Sequence, residues 1–292
     1  MTLRLATLLS VALSLLAGAA GAAPPVWTVH GPRGVVLLFG SIHLLPKGLN
    51  WRPPALEDAL ARAGDLWFEL PIDRATDETA ARLINRLGRL TSGDSLWTHV
   101  TADQRARLEA AAAIVGLDAR TLTPLRPWMA EIALELAADD RSGGLVSEGV
   151  ESRIQDEAPS GARRHGLETV AQQVGFLAGS SPADQIASLD ATARELIADD
   201  PTYDRTVRAW LEGDTAGLRR DDLAPLEAAA PAIYRRLIVE RNRRWARILR
   251  RLARNPGVTV VVVGAGHLIG PDGVPALLRA EGLVVDGPAE GS

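Results

Sequence analysis

The sequence predicts an α/β fold: a mixed central β-sheet flanked by helices, with a large helical insertion between its N- and C-terminal sheet elements. Three observations lead there. Residues 35–39 are continuously apolar and 258–263, Val-Thr-Val-Val-Val-Val, form the most hydrophobic strand in the chain, as expected of strands buried on both faces. A β-α-β unit follows the first of these runs. Almost everything between that unit and the second run carries helical periodicity and helix-start signals.

In chain order, residues 26–30, the turn Gly31-Pro32-Arg33-Gly34 and residues 35–39 read as a hairpin with a central second arm. Pro53-Pro54 opens a helix to residue 63, because proline fits the first helical turn. Residues 65–70, Asp-Leu-Trp-Phe-Glu-Leu, form a short strand stopped by Pro71. Residues 76–158 look helical, with starts near Thr101 (Thr-Ala-Asp-Gln, a capping box) and Thr123. A non-helical piece over 162–168 leads into a second capping box, Thr169 to Gln172, and helices resume at Pro182. The longest helix spans 231–254 and is stopped by Asn255-Pro256-Gly257. The strand over 258–263 follows, then a helix over 274–280 and a last strand over 283–285. No Pro/Gly/Ser linker divides the chain, so residues 23–292 read as one domain. Residues 1–22 read as a signal peptide, with Arg4 in the charged region, an apolar run over 5–16, and Ala20-Gly21-Ala22 at the cleavage site. The expected location is therefore periplasmic or secreted, with no stable membrane insertion after signal removal.

Composition narrows the chemistry. Among 292 residues there is no cysteine, so disulfide and thiolate chemistry are excluded. The chain has five histidines, and any acid–base or metal chemistry must use these with Asp and Glu. A net charge of −4 gives no electrostatic footprint for nucleic acid.

Two segments match across the length of the chain. Each is an apolar strand followed by G-x-x-H: Gly40-Ser-Ile-His43 and Gly264-Ala-Gly-His267. The glycine permits a sharp exit from the strand, and the histidine lands past the carboxyl end, where open α/β sheets place ligands. If the strands are neighbours, the two imidazoles converge. Glu69 stands in an otherwise apolar strand, where a carboxylate needs a cation or several donors. Glu168 precedes the capped helix at Thr169. In the long helix, Arg241 falls inside the stripe formed by Ile233, Leu237, Trp245, Ile248 and Leu252, with Asn242 beside Ile238 and Leu249. Arg236, Arg244 and most other arginines of that helix read as solvated. His30, His99 and His165 have no matching partner and read as turn or surface residues. Gly264-x-Gly266-x-x-x-Gly270 imitates a dinucleotide fingerprint, but Pro271-Asp272-Gly273 interrupts the helix start that would cradle a pyrophosphate.

Gly-Ser-Ile-His-Leu-Leu-Pro (40–46), Phe-Glu-Leu (68–70), Pro-Trp-Met (127–129), Gly-Leu-Glu-Thr (166–169), Arg-Asn-x-x-Trp (241–245) and Val-Gly-Ala-Gly-His-Leu-x-Gly (263–270) resemble, in this order, the TraB/PrgY/GumN family. That family includes the Tiki proteases and is related to erythromycin-esterase and ChaN-like proteins. Gly-Val-Glu (149–151) stands where members often show Gly-Ile-Asp, which leaves the role of Glu151 open. The resemblance implies a mixed sheet with both G-x-x-H histidines in one cleft, and a metal-dependent peptidase using manganese or cobalt.

The leading expectation is a periplasmic metal-dependent hydrolase acting on a peptide or small-molecule substrate. His43, His267 and Glu69 would bind a divalent ion, for which Mn, Co, Zn or Fe would serve; Glu69 is alternatively the base. Glu168 is a second carboxylate, Arg241 holds a substrate carboxylate or oxyanion with Asn242 as an auxiliary donor, and Ser41 is a further substrate-binding candidate. Two rivals stand beside it. One is an esterase-like hydrolase without metal, using His43 as general base oriented by Glu69; the other is a non-catalytic protein that binds haem, metal or peptide.

Overall fold

The computed structural model describes residues 23–198 and 202–289, and the expected signal peptide lies outside them. The strands are β1 (Val26–His30), β2 (Gly34–Ser41), β3 (Ala63–Phe68), β4 (Arg163–Gly166), β5 (Gly257–Gly264) and β6 (Val284–Asp286). They form one mixed sheet in the order β4-β3-β5-β2-β1-β6. The four strands from β4 to β2 are parallel neighbours, while β1 pairs antiparallel with both β2 and β6. The apolar runs read from sequence are the two central strands: Leu38, Phe39, Val260 and Val261 are fully buried.

The helices are α1 (Pro54–Arg62), α2 (Arg74–Leu87), α3 (Ala102–Ile114), α4 (Pro127–Arg141), α5 (Val150–Glu157), α6 (Val170–Ala178), α7 (Pro182–Ile197), α8 (Thr202–Glu212), α9 (Thr215–Leu218), α10 (Ala224–Ala229), α11 (Pro231–Tyr234), α12 (Glu240–Leu252) and α13 (Val274–Ala280). Both capping boxes form, at Thr101 with Gln104 and at Thr169 with Gln172. The expected helix start near Thr123 comes later, at Pro127, because residues 119–122 make a 3₁₀ turn first. The predicted long helix is not uniform. Residues 235–239 form a π-helical turn between α11 and α12, and a second such turn spans 219–223.

The expected insertion is split by β4, with α2 to α5 before it and α6 to α12 after it. Helices α3, α4 and α7 bury a core of their own around Leu108, Leu134 and Leu189. A smaller cluster of Trp128, Val170 and Val174, with Leu70 packed on it, joins this layer to the carboxyl end of β3.

Two features fix the carboxyl ends of β2 and β5. The strands pair in parallel, with Gly40 opposite Val263 and Ser41 opposite Gly264, so the two G-x-x-H motifs sit side by side but one residue out of register. Gly40 packs tightly: a β-carbon there would lie 3.0 Å from the Ala265 Cα, so one of the two segments would have to shift by a few tenths of an ångström. Trp210, packed against Phe39 and Trp51, donates its indole N–H to the Gly40 carbonyl at 2.9 Å and anchors the strand end.

Candidate active site

β3 delivers Glu69 at its carboxyl end. Glu69 lies one residue past the assigned strand, yet its carbonyl accepts the Glu168 N–H at 2.9 Å, so pairing with the β4 side continues and carries both glutamates into the site. Helix α12 faces them. Its buried residues include Arg241, Asn242 and Trp245, and Asn242 and Trp245 are completely enclosed.

Arg241 is the hub. Its Nε donates to both Glu168 carboxylate oxygens at 3.2 and 3.1 Å, and its Nη2 donates to Glu69 Oε2 at 2.5 Å. Its Nη1 donates to the Leu237 carbonyl at 3.3 Å and to His267 Nε2 at 2.9 Å. Its guanidinium carbon sits 4.7 Å from the centre of the Trp245 ring. Four of its five N–H groups are therefore committed among the described residues. Because arginine can only donate, His267 Nε2 must be the acceptor, which puts the imidazole proton on Nδ1. That nitrogen donates to Asn242 Oδ1 at 2.6 Å, and Asn242 Nδ2 donates to the Asp272 carbonyl at 2.8 Å. Burial pushes the His267 pKa down to about 3, against the pull of Glu69, so the ring is neutral. Burial also opposes ionisation of Glu69. His267 where its ring is protonated, together with Arg241, His43 and the Gly264 N–H, which donates to Oε1 at 2.8 Å, outweighs it and brings the carboxyl down to about 2.

Glu168 is a foundation for this assembly. Its carboxylate is wholly buried and accepts from Arg241, from Arg244 Nη2 and from the Trp245 indole at 3.0 Å. Arg244, expected to be solvated, instead lies one turn from Arg241 and is partly buried, because Glu168 supplies the counter-charge that permits it. Arg236 likewise departs from a solvated role and donates to the Gly175 and Phe176 carbonyls.

His43 stands on its own support. Its Nδ1 is 2.8 Å from Glu151 Oε1, and the Ser41 hydroxyl donates to the same oxygen at 2.5 Å. Glu151 is thus no helix-surface carboxylate. It is four-fifths buried, and it, rather than Glu69, orients the imidazole, while buried Ser41 holds Glu151. Glu151 raises the His43 pKa above its ordinary value, and His43 in turn lowers that of Glu151. The His43 ring is 65% exposed, and its Nε2 has no partner among the described residues. Gly149 makes the approach possible: a β-carbon there would lie 1.9 Å from the His43 carbonyl oxygen.

The two histidines therefore occupy adjacent strand ends and act electrostatically on the same Glu69, but their partners differ. Glu69 Oε1 and His267 Nε2 are 3.9 Å apart, a separation two ligands of one ion can have, and Asn242 fixes the tautomer as a supporting residue of a metal site would. The Nε2 lone pair, however, already faces Arg241. His43 is held on Glu151, and among the described residues no three His, Asp or Glu groups are placed to share an ion. As arranged, the residues do not fit a three-ligand divalent centre.

Sequence reasoning missed Gln173, which donates to Glu69 Oε2 at 3.1 Å, along with Arg244 and the part played by Glu151. A signal existed for the first: Gln173 lies one helical turn beyond the capped start at Thr169, on the helix that Glu168 introduces. His30, His99 and His165 each pair with an aspartate away from the site, with Asp286, Asp94 and Asp65.

Two G-x-x-H strand ends, a glutamate and a buried arginine thus gather at the carboxyl end of one mixed sheet. The chain belongs to the TraB/PrgY/gumN family, whose profile matches residues 25–286. It is 25% identical to an uncharacterized protein of Treponema pallidum (strain Nichols), over 88% of this chain and 81% of that protein. It is 24% identical to the uncharacterized protein YbaP of Escherichia coli (strain K12), over 83% of this chain and 87% of that one, and equally to YbaP of Shigella flexneri. No solved structure matches the chain.

Proposed function

We propose that the chain is a hydrolase of peptide or ester carbonyl groups, working outside the inner membrane if residues 1–22 direct export, with His43 as general base. The observation that carries this reading is the Ser41–Glu151–His43 assembly. A buried carboxylate holds Nδ1, while the exposed ring leaves Nε2 without a partner among the described residues, near a buried charge network that includes Glu69 and Arg241. His43 Nε2 takes a proton from the attacking water, and Glu151 stabilises the imidazolium that forms, as the carboxylate of a catalytic triad does. The same proton then passes to the leaving amine or alkoxide. The remaining N–H of Arg241 supplies positive charge for the developing oxyanion. Asn242, with both ends of its amide engaged, positions His267 instead of meeting substrate.

The test is a screen of chromogenic esters and fluorogenic peptides, run before and after chelation, on wild type and His43→Gln. The expected result is turnover that survives chelation and falls about 10²- to 10⁴-fold in the variant, the usual contribution of a positioned acid–base group. Stoichiometric bound metal with chelator-sensitive turnover would favour the metal-dependent reading. In that case Glu69 and His267 would hold the ion and Arg241 would have to withdraw from Nε2. Retention of a ligand with no turnover on any substrate would leave a binding protein.

A further inference from the structure

Beside the cleft lies a second space that the proposed chemistry does not use. A cavity of about 120 Å³ opens between α4, α6, α7 and the segment from α10 to the π-helical turn at 235–239. Its walls are largely aliphatic, with Leu177, Leu226, Ile233 and Leu237 among them. Leu237 also gives its carbonyl to Arg241, so the cavity abuts the hub of the site.

Its polar groups are unbalanced. Glu131 and Glu135 line it one helical turn apart on α4, and no Lys, Arg or His is among the lining residues. The Ser188 hydroxyl donates to Glu131 at 2.6 Å and the Thr192 hydroxyl at 3.2 Å, whereas Glu135 has no hydrogen bond or ion pair among the described residues. Burial and the neighbouring charge of Glu131 push the Glu135 carboxyl up to about 8, and Asp139 and Asp222 add to the effect. The fourth feature is independent of these acids. Trp128, 3% exposed, lines the same cavity, and its buried indole N–H has no hydrogen-bond partner among the described residues. A buried donor left unmade is costly, and its presence beside an empty apolar space points to an occupant that supplies an acceptor.

We propose that this cavity is a binding subsite for a lysine-like arm of a peptide: an aliphatic chain ending in a primary ammonium that pairs with Glu135, with a peptide carbonyl accepting from Trp128. Each part answers a feature on the cavity wall. The methylenes meet the leucines and isoleucine, and the ammonium supplies the absent cation. The indole face adds cation–π attraction. The size agrees, since a cavity of 150 Å³ takes about the six carbons of benzene and a lysine arm has about five non-hydrogen atoms. As the side-chain pocket of the proposed cleft the inference rests on the hydrolase reading, but binding itself does not.

The experiment therefore measures binding without turnover. Full-length mature protein labelled with ¹⁵N is titrated with Nα-acetyl-lysine N-methylamide and, separately, with the neutral isostere Nα-acetyl-norleucine N-methylamide. The Trp128 indole N–H signal, assigned through Trp128→Phe, is followed throughout. The expected result is a saturable shift with the lysine compound and affinity about tenfold better than the norleucine compound, the value of one charge-assisted hydrogen bond. Glu135→Gln should remove that preference without lowering the melting temperature. Equal affinity for the two compounds, no saturable shift of the Trp128 signal, or a preference that persists in Glu135→Gln would each overturn the proposal. The two wild-type titrations decide it even if the variant fails to fold. A hydrolase screen that fails while lysine binding succeeds would sink the catalytic reading and leave this subsite standing.

Discussion

Glu168→Gln separates a structural carboxylate from a catalytic one. The side chain keeps its volume but loses its charge, and an amide group must now face Arg241, Arg244 and the Trp245 indole, all of which donate. One amide oxygen can accept, but the NH₂ group opposes an N–H wherever it turns. Arg241 would keep Glu69 as its only anionic partner, and Arg244 would lose the carboxylate it now holds. Breaking a buried ion pair by removing one charge costs about 3–5 kcal/mol. For a chain of this size that corresponds to a drop of about 6–10 °C in melting temperature, at roughly 2 °C per kcal/mol. The assay is urea unfolding followed by tryptophan fluorescence, with calorimetry as the check. A loss below about 1 kcal/mol would refute the argument, because it would mean that Glu168 is not the counter-charge holding α12 to the end of β3.

Three further predictions concern the two flanks of the cleft. Because Glu151 raises the His43 pKa and the base form is the active one, kcat/KM should climb as pH rises through a value above 6.5; in Glu151→Gln that limb should move down toward 6.5, read from pH–rate profiles of both proteins. Glu135 has a folded-state pKa near 8 against 4.5 unfolded, so the native state holds the extra proton between those values and stability falls as pH rises through that window. Urea unfolding at several pH values should therefore show Glu135→Gln gaining on wild type up to about pH 8 and levelling off above it. Gly149→Ala should cost about 1–3 kcal/mol by overpacking against the His43 carbonyl, with a larger loss of turnover than Ala substitution at open Gly161 causes, measured by melting and by the ester assay.

Much of this was legible in the amino-acid order, and the misses have physical causes. The central strands, both capping boxes and the neighbouring G-x-x-H ends follow from local periodicity and from the glycines. Glu69 and Arg241 could be picked out because each breaks an apolar pattern, and a charge in such a place must find an opposite one. Arg244 could not, since its burial depends on Glu168, distant in sequence and brought near only when β4 joins β3. Glu151 was ambiguous for the same reason: its partners come from the end of β2, and nothing in α5 alone announces them. Asn242 was placed at the site but not in its role, because a side-chain amide can donate or accept, and only the orientation of His267 decides which.

The π-helical turn over 235–239 makes the network sensitive to the winding of the backbone as well as to residue identity. It carries one residue more than a regular turn, immediately before the helix that presents Arg241. The wide turn spreads that extra residue so that the faces before and after it stay nearly in phase; were the same residues to wind as a regular α-helix, everything beyond would rotate by about 100° about the helix axis relative to what precedes it. Arg241 and Trp245 would then point away from Glu69 and Glu168 although no contact residue had changed. The wide turn acts as a phase setting, and a sequence one residue shorter between Pro231 and Arg241 can wind as a plain α-helix and still present the arginine to the two glutamates.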